Sequence, residues 1–141
     1  MKRKFFVPIM LLLCALSWQP CNVDAANRIE QVHFAKGRSF TTISSQIKGY
    51  DSVDYQISAR KGQTMSVSLQ TSNLSNYFNI TAPGANEALF IGSSSGSRYR
   101  GVLPGDGVYT ISVYLMRNAA RRDERARYKL KIDVTGKGDL P

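Results

Sequence analysis

Cysteine is nearly missing from this chain of 141 residues, which carries two, and histidine is scarcer still, with one. Both cysteines, Cys14 and Cys21, fall within the first 25 residues, a segment whose own pattern marks it for removal. Lys2, Arg3 and Lys4 form a basic start, Phe5 to Leu16 an apolar stretch, and Val23-Asp24-Ala25 a site for signal peptidase. The apolar stretch falls short of the roughly 20 residues that span a bilayer. Residues 1–25 therefore read as a cleaved export signal, with no membrane insertion, and residues 26–141 as one domain. Trp18-Gln19-Pro20 and Leu11-Leu12-Leu13 make poor lipoboxes before Cys21 and Cys14. A mature chain without cysteine has no disulfide, thiol nucleophile or zinc–thiolate site. Packing alone must hold it, which about 116 residues permit.

Acidic residues are few as well: ten Asp and Glu stand against nineteen Lys and Arg, a formal charge of +9. Loss of the signal removes three bases and one acid, Asp24, so +9 becomes +7. Such an excess suits a polyanion or an acidic protein surface as partner, and equally serves solubility alone. The one imidazole, His33, sits in a strand-like setting between Val32 and Phe34 rather than in a general-base constellation. No Gly-rich phosphate loop, metal-ligand spacing or nucleophile elbow occurs. The chain reads as no enzyme, with no catalytic residues, no cofactor and no metal. Nucleic acid is not an expected partner of an exported chain without a base-stacking array.

What is present is period-two alternation, the mark of half-buried strands. Val32 and Phe34 open the series, and Phe40, Ile43 and Ile47 give an irregular second element. Val53, Tyr55, Ile57 and Ala59 alternate with polar residues, then Met65, Val67 and Leu69 do so after Lys61-Gly62-Gln63, which predicts a hairpin. Tyr77–Thr81 and Ala88–Ile91 flank the turn pair Pro83-Gly84. Tyr109, Ile111, Val113 and Leu115 share one face, as do Tyr128, Leu130, Ile132 and Val134, with Gly105-Asp106-Gly107 as the turn before the first of these runs. Apolar faces of this kind need a second layer, so the expectation is an all-β, antiparallel β-sandwich of about seven or eight strands. Gly136 to Pro141 read as a frayed tail. A homodimer is left open, through an edge strand or the sheet bearing Tyr109.

Chemistry concentrates between the last two strands. Arg117, Asn118, Arg121 and Arg122 lie in a connection longer than a hairpin turn requires. Guanidinium offers forked donors that match a carboxylate's two oxygens. The same stretch also fits a solubilising loop, or a short helical turn laced by Asp123 and Glu124. A second candidate runs from Ser93 to Gly101, where small residues, including Ser95, precede Arg98, Tyr99 and Arg100. Tyr50 sits at a turn in Lys48-Gly49-Tyr50-Asp51, exposed or packed on the sheet edge. Asn73-Leu74-Ser75 and Asn79-Ile80-Thr81 match glycosylation acceptors by pattern only.

Asp54-Tyr55-Gln56-Ile57, Lys61-Gly62-Gln63, Leu103-Pro104 and Gly107-Val108-Tyr109-Thr110-Ile111 resemble the β-sandwich of bacterial pre-peptidase C-terminal domains. Within that fold, Gly49-Tyr50-Asp51, Arg117-Asn118-Ala119-Ala120-Arg121 and Tyr128-Lys129 resemble periplasmic inhibitors of g-type (goose-type) lysozyme, over about Val32 to Val134. The resemblance implies a periplasmic protein whose partner is lysozyme, and it implicates Tyr50, Arg117, Asn118 and Arg121 in reaching the acidic cleft. Ser95-Gly96-Ser97-Arg98-Tyr99 is similar to the loop of inhibitors of i-type (invertebrate) lysozyme, with one spacer residue more. A different class stays open beside these, a cell-wall carbohydrate-binding module using Tyr50, Tyr99 and Tyr114.

Overall fold

A computed structural model describes residues 25–138. The signal-peptide expectation, apart from Ala25, lies outside these residues, as do Cys14 and Cys21. In chain order the elements are β1 (Asn27–Gln31), β2 (Phe40–Lys48), β3 (Ser52–Ala59), β4 (Thr64–Thr71), β5 (Asn76–Thr81), β6 (Ala88–Ile91), α1 (Gly92–Ser95), β7 (Arg98–Val102), β8 (Gly107–Leu115), α2 (Arg117–Arg121) and β9 (Arg125–Thr135). One sheet has the order β1-β3-β8-β5-β6 and the other β2-β9-β4-β7. The pairings are antiparallel except for β1, which lies parallel to β3. This is the two-layer sandwich that the alternation requires.

The inner faces meet as the pattern dictates. Val53, Tyr55, Ile57, Tyr109, Ile111 and Val113 from the first sheet are buried against Met65, Val67, Leu69, Leu130 and Ile132 from the second. Burial of this kind stabilises by roughly 25 cal/mol per Å² of apolar surface. Two hydroxyls cross the core: Tyr55 of β3 and Tyr128 of β9 share a hydrogen bond of 2.8 Å. Burial, followed by this bond, holds the Tyr55 hydroxyl well above the usual phenol range. At the far end the Tyr109 hydroxyl donates to the Gly105 carbonyl at 2.7 Å and accepts from the Gly105 N–H at 3.2 Å, pinning the turn before β8.

Several local expectations need correction. β3 and β4 are not a hairpin: they lie in opposite sheets, and residues 60–63 arch across the end of the sandwich. Alternation reports only that one face is buried, and an arch buries both faces as well as a hairpin does. The arch is tied down by Leu103, whose N–H and carbonyl bond Gln63 and Gly62. β8 and β9 likewise belong to different sheets, so the connection between them is an arch rather than a hairpin loop. The strands described number nine, not seven or eight. The added one is β7, read as a loop because its inward positions are Tyr99 and Gly101, only one of them a large side chain. Gly101 leaves room there: a Cβ on it would meet the Tyr99 hydroxyl at 2.5 Å. The opening strand ends at Gln31, before Val32 and Phe34, which pack against the core from the following segment. Of the tail expected to fray, Gly136 is instead tied down, its carbonyl accepting from the Gln63 side chain at 2.9 Å, while residues 139–141 lie outside the described residues.

Candidate functional site

The connection from β8 to β9 leaves the core through Leu115 and returns through Ala126, both buried. Between them the chain winds into α2, whose Ala119 and Ala120 turn inward and are almost fully buried. Ala has the highest helix propensity and a side chain small enough to seat a single turn on the end of a sandwich. Arg117, Asn118, Arg121 and Arg122 are thereby turned outward and exposed. The helical-turn reading describes this segment better than a free protruding loop. Asp123 ends the turn at φ 57, the left-handed region that Asp tolerates better than most residues.

Two further turns are fastened to this one, and Glu124 is the fastener. Its carbonyl accepts from the Gly49 N–H at 2.9 Å, which docks the turn carrying Tyr50. Its carboxylate accepts from the Asn73 side-chain amide at 3.2 Å, which docks the turn between β4 and β5, and from Arg122 Nε at 2.8 Å. Asn73 also donates to the Arg125 carbonyl at 3.1 Å. Lys48 lies 3.6 Å from the Asp123 carboxylate, a second tie between the Tyr50 turn and α2. Three loops distant in sequence thus form one tip. Gly49, Asn73 and Glu124 were not singled out from the sequence as its organisers. The N-x-S pattern at Asn73 pointed to glycosylation, whereas the amide is used internally.

The tip is cationic and carries an exposed aromatic. Arg122 is engaged by Glu124, whereas Arg117 and Arg121 have no ion pair among the described residues. Tyr50, on the turn docked to this segment through Gly49, is 57% exposed. Ser95 and Tyr99 sit elsewhere: Ser95 on the crossover that carries the chain from β6 to β7 and closes one side of the sandwich, and Tyr99 on β7 just after it. Gly92 opens that crossover hard against the Phe78 carbonyl. The Ser97 carbonyl accepts from Leu69 N–H at 3.0 Å, two residues before Thr71, so the crossover runs toward the tip without bonding to it. Ser95 is exposed; Tyr99 is half-buried, its ring 5.4 Å from Phe90, and burial raises its hydroxyl pKa. Tyr114 is half-buried too and donates to Asn79 at 3.1 Å. Tyr50, Tyr99 and Tyr114 do not form one exposed aromatic platform for a sugar.

Fold and tip together define a class: a small β-sandwich whose distinctive surface is a rigid, cationic, tyrosine-bearing end, suited to contact with an acidic partner. No family model matches the sequence. Among known proteins, the chain is 31% identical over 137 residues to an inhibitor of g-type lysozyme from Escherichia coli K12, covering 95% of this chain and 99% of that protein. The crystal structure of Aeromonas hydrophila PliG, a periplasmic inhibitor of g-type lysozyme, superposes with a TM-score of 0.73 at 34% identity, over 79% of this chain and 99% of that one. A pre-peptidase C-terminal domain of a Bacillus anthracis collagenase gives 0.55 at 15% identity, over 79% and 99%, a likeness of fold alone. The chain belongs to the family of inhibitors of g-type lysozyme, which are binding proteins and not enzymes.

Proposed function

We propose that this chain is a periplasmic inhibitor of g-type lysozyme, exported by its N-terminal signal, and that its tip is the inhibitory surface. In this reading Arg117 and Arg121 meet the acidic groups of the lysozyme cleft, Asn118 and Tyr50 pack beside them, and Arg122 is held back by Glu124. Ser95 extends the covered area along the crossover, and Tyr99 contributes by anchoring that crossover on Phe90. The observation that carries the proposal is the joint at Glu124. It brings the Tyr50 turn against the arginine turn, where Arg117 and Arg121 have no ion pair among the described residues.

The chemistry is coherent. A glycosidase cleft holds two carboxyl groups, one of them ionised, in a partly desolvated groove. A guanidinium entering that groove meets negative charge with little water to screen it, while each charge must also be desolvated. Because α2 is seated on buried Ala119 and Ala120, little freedom remains to be lost on binding.

Titration of the periplasmic protein against purified g-type, i-type and chicken-type lysozymes tests the reading. Inhibition of the g-type enzyme is expected, and none at micromolar concentration refutes it. Arg117→Ala and Arg121→Ala each weaken inhibition by about 2–4 kcal/mol, while Arg122→Ala costs less. A doubly substituted chain that still inhibits fully moves the site away from this tip.

A further inference from the structure

The outer face of the second sheet carries a charge distribution that inhibition through the tip does not use. Outward positions of β9 and β7 place Arg125, Arg127, Lys129, Lys131, Arg98 and Arg100 on that face, all exposed. The strand register makes this a lattice rather than a line. Lys131 lies beside Ser68 and Ser68 beside Arg98, while Lys129 is flanked by Ser44 and Gln70. Neighbouring strands lie about 4.8 Å apart and alternate residues about 7 Å apart. None of these six cations has an ion pair among the described residues. The one acid among them, Asp133, accepts from Ser39 at 2.8 Å.

The positions between the charges are small and polar: Thr42, Ser44, Ser66, Ser68 and Gln70. No aromatic or large aliphatic anchor stands at the centre, where a protein interface concentrates its binding energy. On this face, among the described residues, the exposed large apolar side chains are Phe40 on β2 and Val102 on β7, 40% and 68% exposed, both at the end remote from the tip. A densely cationic face with hydroxyl and amide donors between its charges, and with open depressions beside Lys129 and Lys131, complements an array of phosphate groups. Apolar residues at one margin complement a headgroup layer.

We infer that this face binds the phosphate headgroups of anionic phospholipid, holding the protein against a membrane surface. The face looks sideways and the tip looks along the strands, so a bound molecule keeps Tyr50, Arg117 and Arg121 free. The inference uses the periplasmic reading only to supply the membrane, and the test separates it from inhibition.

Vesicle co-sedimentation of the periplasmic protein is the experiment, comparing phosphatidylcholine vesicles with vesicles that also contain phosphatidylglycerol. Binding to the second alone, declining as salt is added, is expected. Each cation near an anionic leaflet contributes about a five-fold factor, so Lys129→Gln with Lys131→Gln weakens vesicle binding roughly 25-fold. That variant keeps full inhibition of g-type lysozyme. Arg117→Ala with Arg121→Ala does the reverse, keeping most vesicle affinity while inhibition falls. Equal binding to both vesicle types, or wild-type binding by the Lys129/Lys131 variant, overturns the inference. So does binding to polyglutamate without binding to phosphatidylglycerol, which indicates an acidic protein instead. Displacement by inorganic phosphate at matched ionic strength overturns it too, in favour of a discrete anion site.

Discussion

Substituting Gly49 by Ala perturbs the joint that holds Tyr50 against the arginine turn. Gly49 is buried at φ 60, its N–H is bonded to the Glu124 carbonyl at 2.9 Å, and a Cβ there would stand 2.7 Å from Asp123 Oδ1. Gly37 supplies the reference, with φ 77 and nothing within 4 Å of its added Cβ. Both substitutions force a side chain into the left-handed region, at a cost of about 1–2 kcal/mol. Only Gly49→Ala must also displace the Asp123 carboxylate, which loosens the exposed Lys48 pair, worth at most about 1 kcal/mol. It also strains a backbone hydrogen bond worth about 1 kcal/mol. The expectation is a loss of about 2–4 kcal/mol for Gly49→Ala against about 1–2 kcal/mol for Gly37→Ala, read by chemical denaturation with circular dichroism. A domain stable by roughly 5–15 kcal/mol stays folded at 25 °C after either loss. Weaker inhibition by Gly49→Ala therefore reports a displaced Tyr50 rather than unfolding, and about ten-fold weakening corresponds to about 1.4 kcal/mol of binding. Adding Asp123→Gly, which removes the carboxylate and suits the φ of 57 there, clears the obstruction and returns stability toward the Gly37→Ala value. Equal stability and equal inhibition for the two glycine variants would refute the joint.

The hydroxyl bridge across the core yields two further expectations. Tyr55→Phe and Tyr128→Phe each leave one buried hydroxyl without its partner, costing about 1–3 kcal/mol, and the double variant recovers most of one loss, since no orphan remains. Additive losses in the double-mutant cycle would show that the two hydroxyls do not depend on each other. Because the folded state raises the Tyr55 hydroxyl above its unfolded value, stability should be independent of this group below about pH 10 and fall as pH rises further, a fall that Tyr55→Phe reduces. Denaturation midpoints at stepped alkaline pH measure it, and an unchanged slope in the variant contradicts the assignment.

The second layer was legible because inner-face residues such as Val53, Tyr55, Met65 and Val67 recur at period two. Partners were less so. The arch between β3 and β4 has the same pattern as a hairpin, and β7 shows one large inward side chain where the pattern needs several. Residues of the candidate site were legible by type: exposed Arg117 and Arg121 and the aromatic Tyr50 stand out in the chain itself. Their assembly was not. Glu124 reads as one more acid in a charged stretch, and Asn73 lies 51 residues before it.

By itself the amino-acid order determined the layer architecture, the surplus of positive charge, the identity of the tip residues and the family resemblance. These follow from side-chain type and local spacing, which act between near neighbours along the chain. Only the tertiary structure decided which strands share a sheet, that α2 is seated by Ala119 and Ala120, and that Gly49 and Asn73 converge on Glu124. It also spread the bases of β9 and β7 over one face. Hydrogen bonds are short-ranged and blind to sequence separation, so contacts between distant turns exist only once the core has brought the strand ends together.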